Sequence, residues 1–303
     1  MNLHHDKEAL EELIIGAANE LAIPTNVIEK DYYVTITLKA LSEKVTDLVF
    51  KGGTSLTKCY QLLDRFSEDI DLSYTAESGM PGESRKKQLK KAIVSTMEEF
   101  DFPINNLENT RSRRNYNCYR ANYPSMYEQS SILKPELVVE TYVAMLPFPT
   151  TKRMVDNYIY RFLKKINRLD LAENYNLMPF EITTQTIERT LVDKVFALCD
   201  YYMDGKTERH SRHLYDIHKI VESVGISGEL SSLIPEVRVV RAELSVCPSA
   251  KPGVCVTEIL HEVIEKQVYK GDYEDITMGL LFVPESYDTV IQSLKKIADS
   301  ELF

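Results

Sequence analysis

The chain has 303 residues, of which 44% are hydrophobic and 27% charged, and its formal net charge is −10. This composition is typical of a globular protein with one large domain or two packed ones, and it excludes a largely disordered chain. The acidic total excludes attraction of nucleic acid by overall charge, so any RNA contact needs a local basic surface. Cysteines without a C-x-x-C pair indicate reduced thiols. Because neither a signal peptide nor an apolar run of about 20 residues is present, we expect a cytoplasmic protein with no membrane contact.

The N-terminal region has apolar residues at helical spacing. This spacing predicts a first helix over residues 6–22, with Asp6 as its N-cap. A second helix is predicted from Asn26 to about Ser42, with Glu29 completing a capping box at its start.

From residue 48 the pattern changes to short apolar runs between turns, which indicates a sheet. A strand is predicted at 48–50, followed by a Gly-Gly turn and a helix over 55–63. The next predicted elements are a strand at 67–72, a helix over 83–100, and strands at 113–123 and 135–145.

Beyond residue 150 the pattern is mainly helical. The predicted elements are a strand at 180–183 and helices over 186–203, 211–223, 256–268 and 286–299, with no assignment for 224–255. The sequence therefore predicts an α/β (α+β) fold in two domains. Residues 1–150 form N-terminal helices and a mixed-sheet core, and residues 151–303 form a mainly helical domain.

The sequence Lys51-Gly52-Gly53-Thr54-Ser55 stands between a predicted strand and a predicted helix. A double glycine lets the backbone approach a ligand closely, and the free N–H groups of the following helix favour an anion. The hydroxyls of Thr54 and Ser55 add hydrogen-bond donors, and Lys51 adds a cation. Taken alone, an ordinary tight turn is the commoner explanation of such a sequence.

Asp69 and Asp71 form a D-x-D motif in the predicted strand 67–72. In a strand both carboxylates point to one face, while Ile70 and Leu72 point to the other. Adjacent carboxylates repel unless a cation lies between them, and Mg²⁺ is the usual one. A solvent-exposed acidic face is the commoner reading of D-x-D alone. The Gly-Gly turn one helix earlier favours a metal–triphosphate site.

Five segments of the chain together resemble a known family. They are residues 27–35, 50–58, 65–72, 188–194 and 212–217. The order of Gly-Gly turn, helix and D-x-D strand resembles the polymerase-β-type nucleotidyltransferase superfamily. The longer segments resemble the AbiEii/AbiGii toxin family, to which the MenT-like toxins belong. The resemblance ends near residue 220.

The resemblance implies a nucleotidyltransferase fold for the core and a set of site residues. Asp69 and Asp71 would bind the catalytic metal, Mg²⁺ or Mn²⁺, and the substrate would be an NTP. Lys194 and Asp216 match the family's Lys and Asp motifs. Lys194 would stabilise the phosphates, and Asp216 would orient Lys194 or the acceptor. The residues that would contact the triphosphate are Lys51, Gly52, Gly53, Thr54, Ser55 and Ser67.

Glu140 is the candidate for a third metal-binding carboxylate, which this superfamily often takes from a later strand. It lies among apolar residues, where a charge is costly unless it has a partner such as a metal. An exposed sheet face carrying Glu136 and Glu140 explains the pattern equally well. For Lys194 and Asp216, the residues alone favour ordinary surface roles, and only the resemblance assigns them to a site.

Arginines and tyrosines alternate over residues 111–123. These residue types bind phosphates and stack on bases. A half-buried strand has the same pattern and is the favoured interpretation.

The predicted function is transfer of NMP from an NTP to an acceptor hydroxyl, as the toxin of a bacterial toxin–antitoxin or abortive-infection (phage-defence) system. The resemblance points to the 3′ end of a tRNA as the acceptor and to an antitoxin from a neighbouring gene as the partner. Two alternatives stay open. One is an acceptor hydroxyl on an antibiotic or a protein, and the other is an NTP-binding toxin that performs no transfer.

Overall fold

The computed structural model describes residues 1–65, 67–75, 82–127, 134–226 and 228–303. The chain divides into two compact units. The first comprises Met1–Tyr60 and Ser67–Thr184, and the second comprises Gln61–Phe66 and Gln185–Phe303. Within the described ranges, no helix is long and apolar enough to cross a membrane.

A mixed sheet of six strands among the described residues forms the centre of the first unit. The strands are β1 (Leu48–Lys51), β2 (Ile70–Tyr74), β3 (Tyr116–Asn122), β4 (Glu136–Tyr142), β5 (Thr150–Val155) and β6 (Phe180–Gln185). Their spatial order is β3-β4-β2-β1-β6-β5. β1 pairs antiparallel with β2 and parallel with β6, while β4 pairs parallel with β2 and antiparallel with β3. The predicted α/β fold with a mixed sheet is therefore confirmed.

The helices of the first unit are α1 (Lys7–Leu21), α2 (Thr25–Lys44), α3 (Gly52–Lys58), α4 (Glu83–Glu99), α5 (Tyr158–Lys165) and α6 (Leu169–Asn174). α1 confirms its prediction, because the carboxylate of Asp6 accepts a hydrogen bond from the Ala9 N–H at 3.1 Å. Its apolar stripe, which includes Leu10 and Ile14, is buried in the core. The helix predicted over 83–100 is confirmed by α4.

Two predictions for this unit are wrong in detail, and one strand was not predicted. The capping box of α2 does not form, since Glu29 is completely buried and its carboxylate binds groups far along the chain. α3 occupies Gly52–Lys58 instead of 55–63, so it begins at the Gly-Gly turn and ends before the predicted residue 63. β5 was not predicted. Most of its side chains are exposed or half-buried, so it lacks the apolar alternation that signals a strand.

The second unit is helical. Its helices are α7 (Ile187–Met203), α8 (Arg212–Val224), α9 (Gly228–Ala242), α10 (Val256–Glu265), the short α11 (Lys270–Asp272) and α12 (Tyr287–Asp299). The helices predicted over 186–203, 211–223, 256–268 and 286–299 are confirmed by α7, α8, α10 and α12. α9 lies in the segment left unassigned, because Pro235 inside it removes a backbone donor and interrupts the helical signal.

Candidate active site

The Gly-Gly turn packs directly against the D-x-D motif. β1 and β2 pair so that Lys51 lies opposite Asp71, and Gly52 follows with a φ of +80°. A Cβ added to Gly52 would lie 2.0 Å from Oδ2 of Asp71. Glycine is therefore required here by the left-handed backbone and by the lack of space. The juxtaposition of turn and acid that the motif order predicted is present.

The hydroxyls next to the turn fall into two groups. Oγ1 of Thr54 and Oγ of Ser67 lie 2.9 Å apart, which joins the start of α3 to the segment before β2. Ser55 is completely buried, and its hydroxyl donates to the carbonyl oxygen of Gly52 at 2.8 Å. Thr54 and Ser67 thus form a polar pair beside the turn, whereas the Ser55 hydroxyl holds the turn's own backbone.

The three predicted metal-binding acids lie on one side of adjacent strands. Asp69 immediately precedes β2, and Asp71 lies opposite Glu140 in the parallel β2–β4 pair. All three are half-buried, while Ile70 and Leu72 are completely buried. The predicted alternation of acidic and apolar faces is therefore confirmed. Glu140 accepts a hydrogen bond from the Tyr116 hydroxyl at 2.9 Å.

Burial and the negative charge of these acids raise the pKa values of two neighbouring side chains on β3. Burial and then the charge of Glu140 raise the pKa of Tyr116 far above its usual value, and Asp71 adds to this shift. Burial and then Glu140 raise the pKa of Cys118 to about 11, with a further contribution from Asp69 and an opposing one from Arg120. A field of this sign disfavours anions and favours a bound cation.

The acids are near one another without forming a tight cluster. Among the described residues, one group of three His, Cys, Asp or Glu side chains has ligand atoms all within 4.8 Å of one another, and it lies in the second unit. The carboxylates of Asp69, Asp71 and Glu140 are thus not gathered this closely. Like charges repel, so a cation would have to draw them together.

The charged residues of the 27–35 segment hold the loops around this region. The carboxylate of Glu29 accepts hydrogen bonds from the Ser125 hydroxyl at 2.5 Å and the Met126 N–H at 2.8 Å. Burial raises the pKa of Glu29, although the two hydrogen bonds lower it. Lys30 pairs with Glu68, which immediately precedes Asp69. Lys30 therefore anchors the approach to the D-x-D strand from α2.

Asp31 continues this network to α3. Its Oδ1 lies 2.6 Å from Nζ of Lys58, the last residue of the helix that follows the Gly-Gly turn. Nζ of Lys58 also donates to Thr35 at 2.6 Å. The motif of Glu29, Lys30 and Asp31 is thus a buried scaffold for the other two motifs of this unit. Sequence reasoning recognised the motif but assigned no role to its charges.

In the second unit, Asp216 is the centre of a buried ion triad. Its two carboxylate oxygens accept hydrogen bonds from Nε and Nη2 of Arg65 at 2.6 and 2.7 Å. Nζ of Lys194 donates to the same carboxylate at 2.6 Å. All three side chains are buried. The expected Lys194–Asp216 interaction is present, and Asp216 also forms a buried pair with Arg65.

The two cations control the ionisation of this triad. Burial opposes the charge of Asp216, but Arg65 and Lys194 outweigh it and hold the pKa of Asp216 well below its usual range. Burial lowers the pKa of Lys194 and outweighs the attraction of Asp216, while Arg65 lowers it further. Asp216 therefore orients Lys194 while pairing chiefly with Arg65.

The sequence did not predict that Arg65 belongs to this triad. Arg65 lies in the 65–72 segment that carries the family resemblance, but 151 positions separate it from Asp216, and no periodicity links such distant residues. The alternating segment 111–123 contains the half-buried strand that was favoured, but only over β3, Tyr116–Asn122, where exposed and buried residues alternate and Arg120 pairs with Glu136.

The mixed sheet, with a glycine turn and helix packed against an acidic strand, is consistent with an α/β nucleotidyltransferase-like protein. Residues 37–293 match the family model of the AbiEii toxins, described as a nucleotidyl transferase toxin of a type IV toxin–antitoxin system. Because the match covers most of the chain, the protein belongs to this family, as the motifs indicated. A search of curated proteins finds no match.

The match extends the similarity well beyond residue 220, where the recognisable motifs end, and so includes most of the second unit. Membership identifies the chain as a transferase toxin and implies an NTP substrate and a cognate antitoxin.

Proposed function

We propose that this toxin transfers NMP from an NTP to an acceptor hydroxyl, with a divalent cation held by Asp69, Asp71 and Glu140. The observation that carries this proposal is the packing of Gly52 against Asp71. It brings a turn that accepts close approach of a phosphate next to a carboxylate of the type that binds Mg²⁺.

The donor set fits the proposed metal. Carboxylate oxygens are the ligands that Mg²⁺ and Mn²⁺ prefer, and the pairing of Asp71 with Glu140 puts two of them on neighbouring strands. The Tyr116 hydroxyl orients Glu140. When bound, the cation would neutralise charge on the triphosphate and favour ionisation of the acceptor hydroxyl.

The residues of the turn bind and orient the triphosphate. Backbone N–H groups of Gly52 and Gly53 approach the phosphate oxygens, the hydroxyl pair of Thr54 and Ser67 donates to them, and Lys51 supplies positive charge. The acceptor oxygen bonds to the α-phosphorus, the bond from that phosphorus to the bridging oxygen breaks, and pyrophosphate leaves. The proton of the acceptor hydroxyl passes to solvent.

We assign Lys194 and Asp216 to the same reaction on the basis of the family motifs. Arg65, which binds Asp216 through two nitrogens, stands four residues before Asp69 in the sequence. Lys194 donates one hydrogen bond to Asp216, which leaves further N–H protons of its ammonium for phosphate oxygens. Asp216 and Arg65 act as positioning residues for Lys194.

We propose the 3′ end of a tRNA as the acceptor, as the family resemblance implies. Incubation with each of the four labelled NTPs, Mg²⁺ and total RNA tests this, with Asp69→Asn as the inactive control. Label in the tRNA band that disappears after 3′-end trimming is the expected result. Label on a protein or on a small hydroxyl compound would show that this molecule, and not tRNA, is the acceptor. Saturable NTP binding without any transfer would contradict the proposed enzymatic function.

A further inference from the structure

We propose that the second unit contains a binding site for a divalent transition metal, of which Zn²⁺ is the best fit, formed by His218, Glu222 and Glu285. The side-chain ligand atoms of these residues all lie within 4.8 Å of one another. This site is separate from the acids of the sheet, which belong to the first unit. The proposal does not rest on the proposed transferase reaction.

The buried imidazole of His218 is the observation that points to a ligand. The side chain is 6% exposed, and its Nε2 has no hydrogen-bond partner. Nε2 nevertheless lies near two carboxylates, with Oε2 of Glu222 at 3.3 Å and Oε2 of Glu285 at 3.2 Å. A buried polar atom without a hydrogen-bond partner is unfavourable, and a metal between these atoms would remove that cost.

The spacing of the ligand atoms fits tetrahedral coordination. Zinc binds imidazole nitrogen and carboxylate oxygen at about 2.0–2.2 Å, which puts two such ligands about 3.3–3.5 Å apart at a tetrahedral angle. The two observed nitrogen–oxygen separations, 3.3 and 3.2 Å, lie at and just below the lower end of this range. One nitrogen and two oxygen ligands favour Zn²⁺ over Mg²⁺ or Ca²⁺, which take oxygen ligands.

The other ring nitrogen of His218 is fixed as it is in metal sites. Nδ1 lies 2.9 Å from Oγ of Ser293, a buried residue of α12. If Nδ1 carries the proton and donates to Ser293, the lone pair of Nε2 faces the carboxylates. A partner of this kind orients a histidine ligand and raises its affinity for metal.

The carboxylates around the site carry more negative charge than the neighbouring ammonium neutralises, which favours a bound cation. Lys219 is the ammonium facing the carboxylates, at 3.8 Å from both Glu222 and Glu285 and 4.0 Å from Asp64. These distances exceed hydrogen-bond length, and one ammonium faces three carboxylates. Lys219 therefore competes with a metal without replacing it, so its removal should strengthen metal binding.

A metal here would tie the segment before α12 to α8. Glu285 lies in that segment, where the N–H of Phe282 donates to the carbonyl of Asp64 at 2.8 Å and Leu281 forms a bridge with Arg65. His218 and Glu222 are on α8, as is Asp216. The metal would thus link the segment that binds the backbone of Arg65 to α8, the helix that carries Asp216.

The test is calorimetric titration of the chelator-treated full chain with Zn²⁺ in an Asp69→Asn/Asp71→Asn/Glu140→Gln background, which removes the three acids of the sheet. We expect one ion per chain and a rise in melting temperature. Glu222→Gln, at a half-exposed position, should lower the affinity at least about tenfold. The matched control Glu229→Gln, on the exposed face of α9, should leave it unchanged.

Two further variants separate a metal site from a mere ionic cluster. Ser293→Ala should weaken Zn²⁺ binding about ten- to hundredfold through the histidine orientation. Lys219→Gln should tighten it, which a cluster held together by Lys219 would not do. The proposal is overturned if no Zn²⁺ binds in this background. It is equally overturned if Glu222→Gln binds Zn²⁺ as tightly as Glu229→Gln.

Discussion

Gly52 and Asp71 lie so close that no side chain fits at the glycine, since a Cβ there would lie 2.0 Å from the Asp71 carboxylate and 2.8 Å from its Cγ. The contact joins the two motifs by which the family can be recognised, the glycine turn and the acidic strand. It also makes the conformation of the carboxylate dependent on the absence of a side chain at position 52.

We therefore expect Gly52→Ala to lose transferase activity and to lower the free energy of unfolding. The left-handed backbone costs about 1–2 kcal/mol for alanine, and the new methyl group would push the Asp71 carboxylate aside. Gly253→Ala is the matched control, because Gly253 has a φ of +83° but nothing within 4 Å of an added Cβ. Urea unfolding and NTP incorporation measure the two effects. Equal activity in the two variants would show that the contact with Asp71 does not matter.

Asp69→Asn and Asp71→Asn should each abolish transfer without unfolding the protein. Removing one of several repelling carboxylates should leave the melting temperature in chelator equal or higher. It should also reduce the stabilisation that added Mg²⁺ or Mn²⁺ provides. Glu12→Gln on the exposed face of α1 is the control. Incorporation of labelled NMP and thermal melts with and without metal provide the measurements, and normal turnover in either Asn variant would exclude the metal assignment.

Lys194→Met should lower activity while leaving stability unchanged or higher. The pKa of Lys194 is lowered chiefly by burial, so its charged form is held in the fold at a cost, and methionine of similar length removes that cost. Asp216 retains Arg65 as its partner. We expect the loss to appear in incorporation rate and not in urea unfolding. A large loss of stability with unchanged activity would make Lys194 a structural residue alone.

Asp216→Asn, in contrast to Lys194→Met, should lower the free energy of unfolding, and the size of this loss should depend on pH. It leaves two buried cations without a carboxylate, so about 3–5 kcal/mol of stability should be lost at neutral pH. The pKa of Asp216 is depressed by Arg65 and Lys194. Its contribution is therefore full above the unfolded value of about 3.9 and is lost as pH falls through the lower folded value.

The measurement is urea unfolding of wild type and variant from pH 7 down to pH 3. The difference in unfolding free energy should be largest at neutral pH and should shrink at the acidic end. Glu229→Gln, on the exposed face of α9, should show a small difference that does not change with pH. A difference for Asp216→Asn that grew with acid would contradict the direction of the pKa shift.

Local patterns in the sequence were sufficient for most elements and for the core of the candidate site. The apolar spacing of α1, α4 and α7 marks their buried faces, because a helix that packs on a core must repeat every 3.6 residues. Alternation around Asp69 and Asp71 marks the two faces of β2 for the same kind of reason. The glycine turn can be recognised in the sequence because few residue types tolerate its left-handed backbone conformation.

Only the tertiary structure decided how the distant charges pair. Glu29 has the right position for a capping box, yet it binds Ser125 and Met126, 96 and 97 positions away. Lys194 and Asp216 look like surface residues in their own segments, and with Arg65 they form one buried triad in the fold. The reason is physical. Helix and strand periods arise from neighbouring residues along the chain, whereas the partner of a buried charge is whichever group packing brings next to it, at any sequence separation.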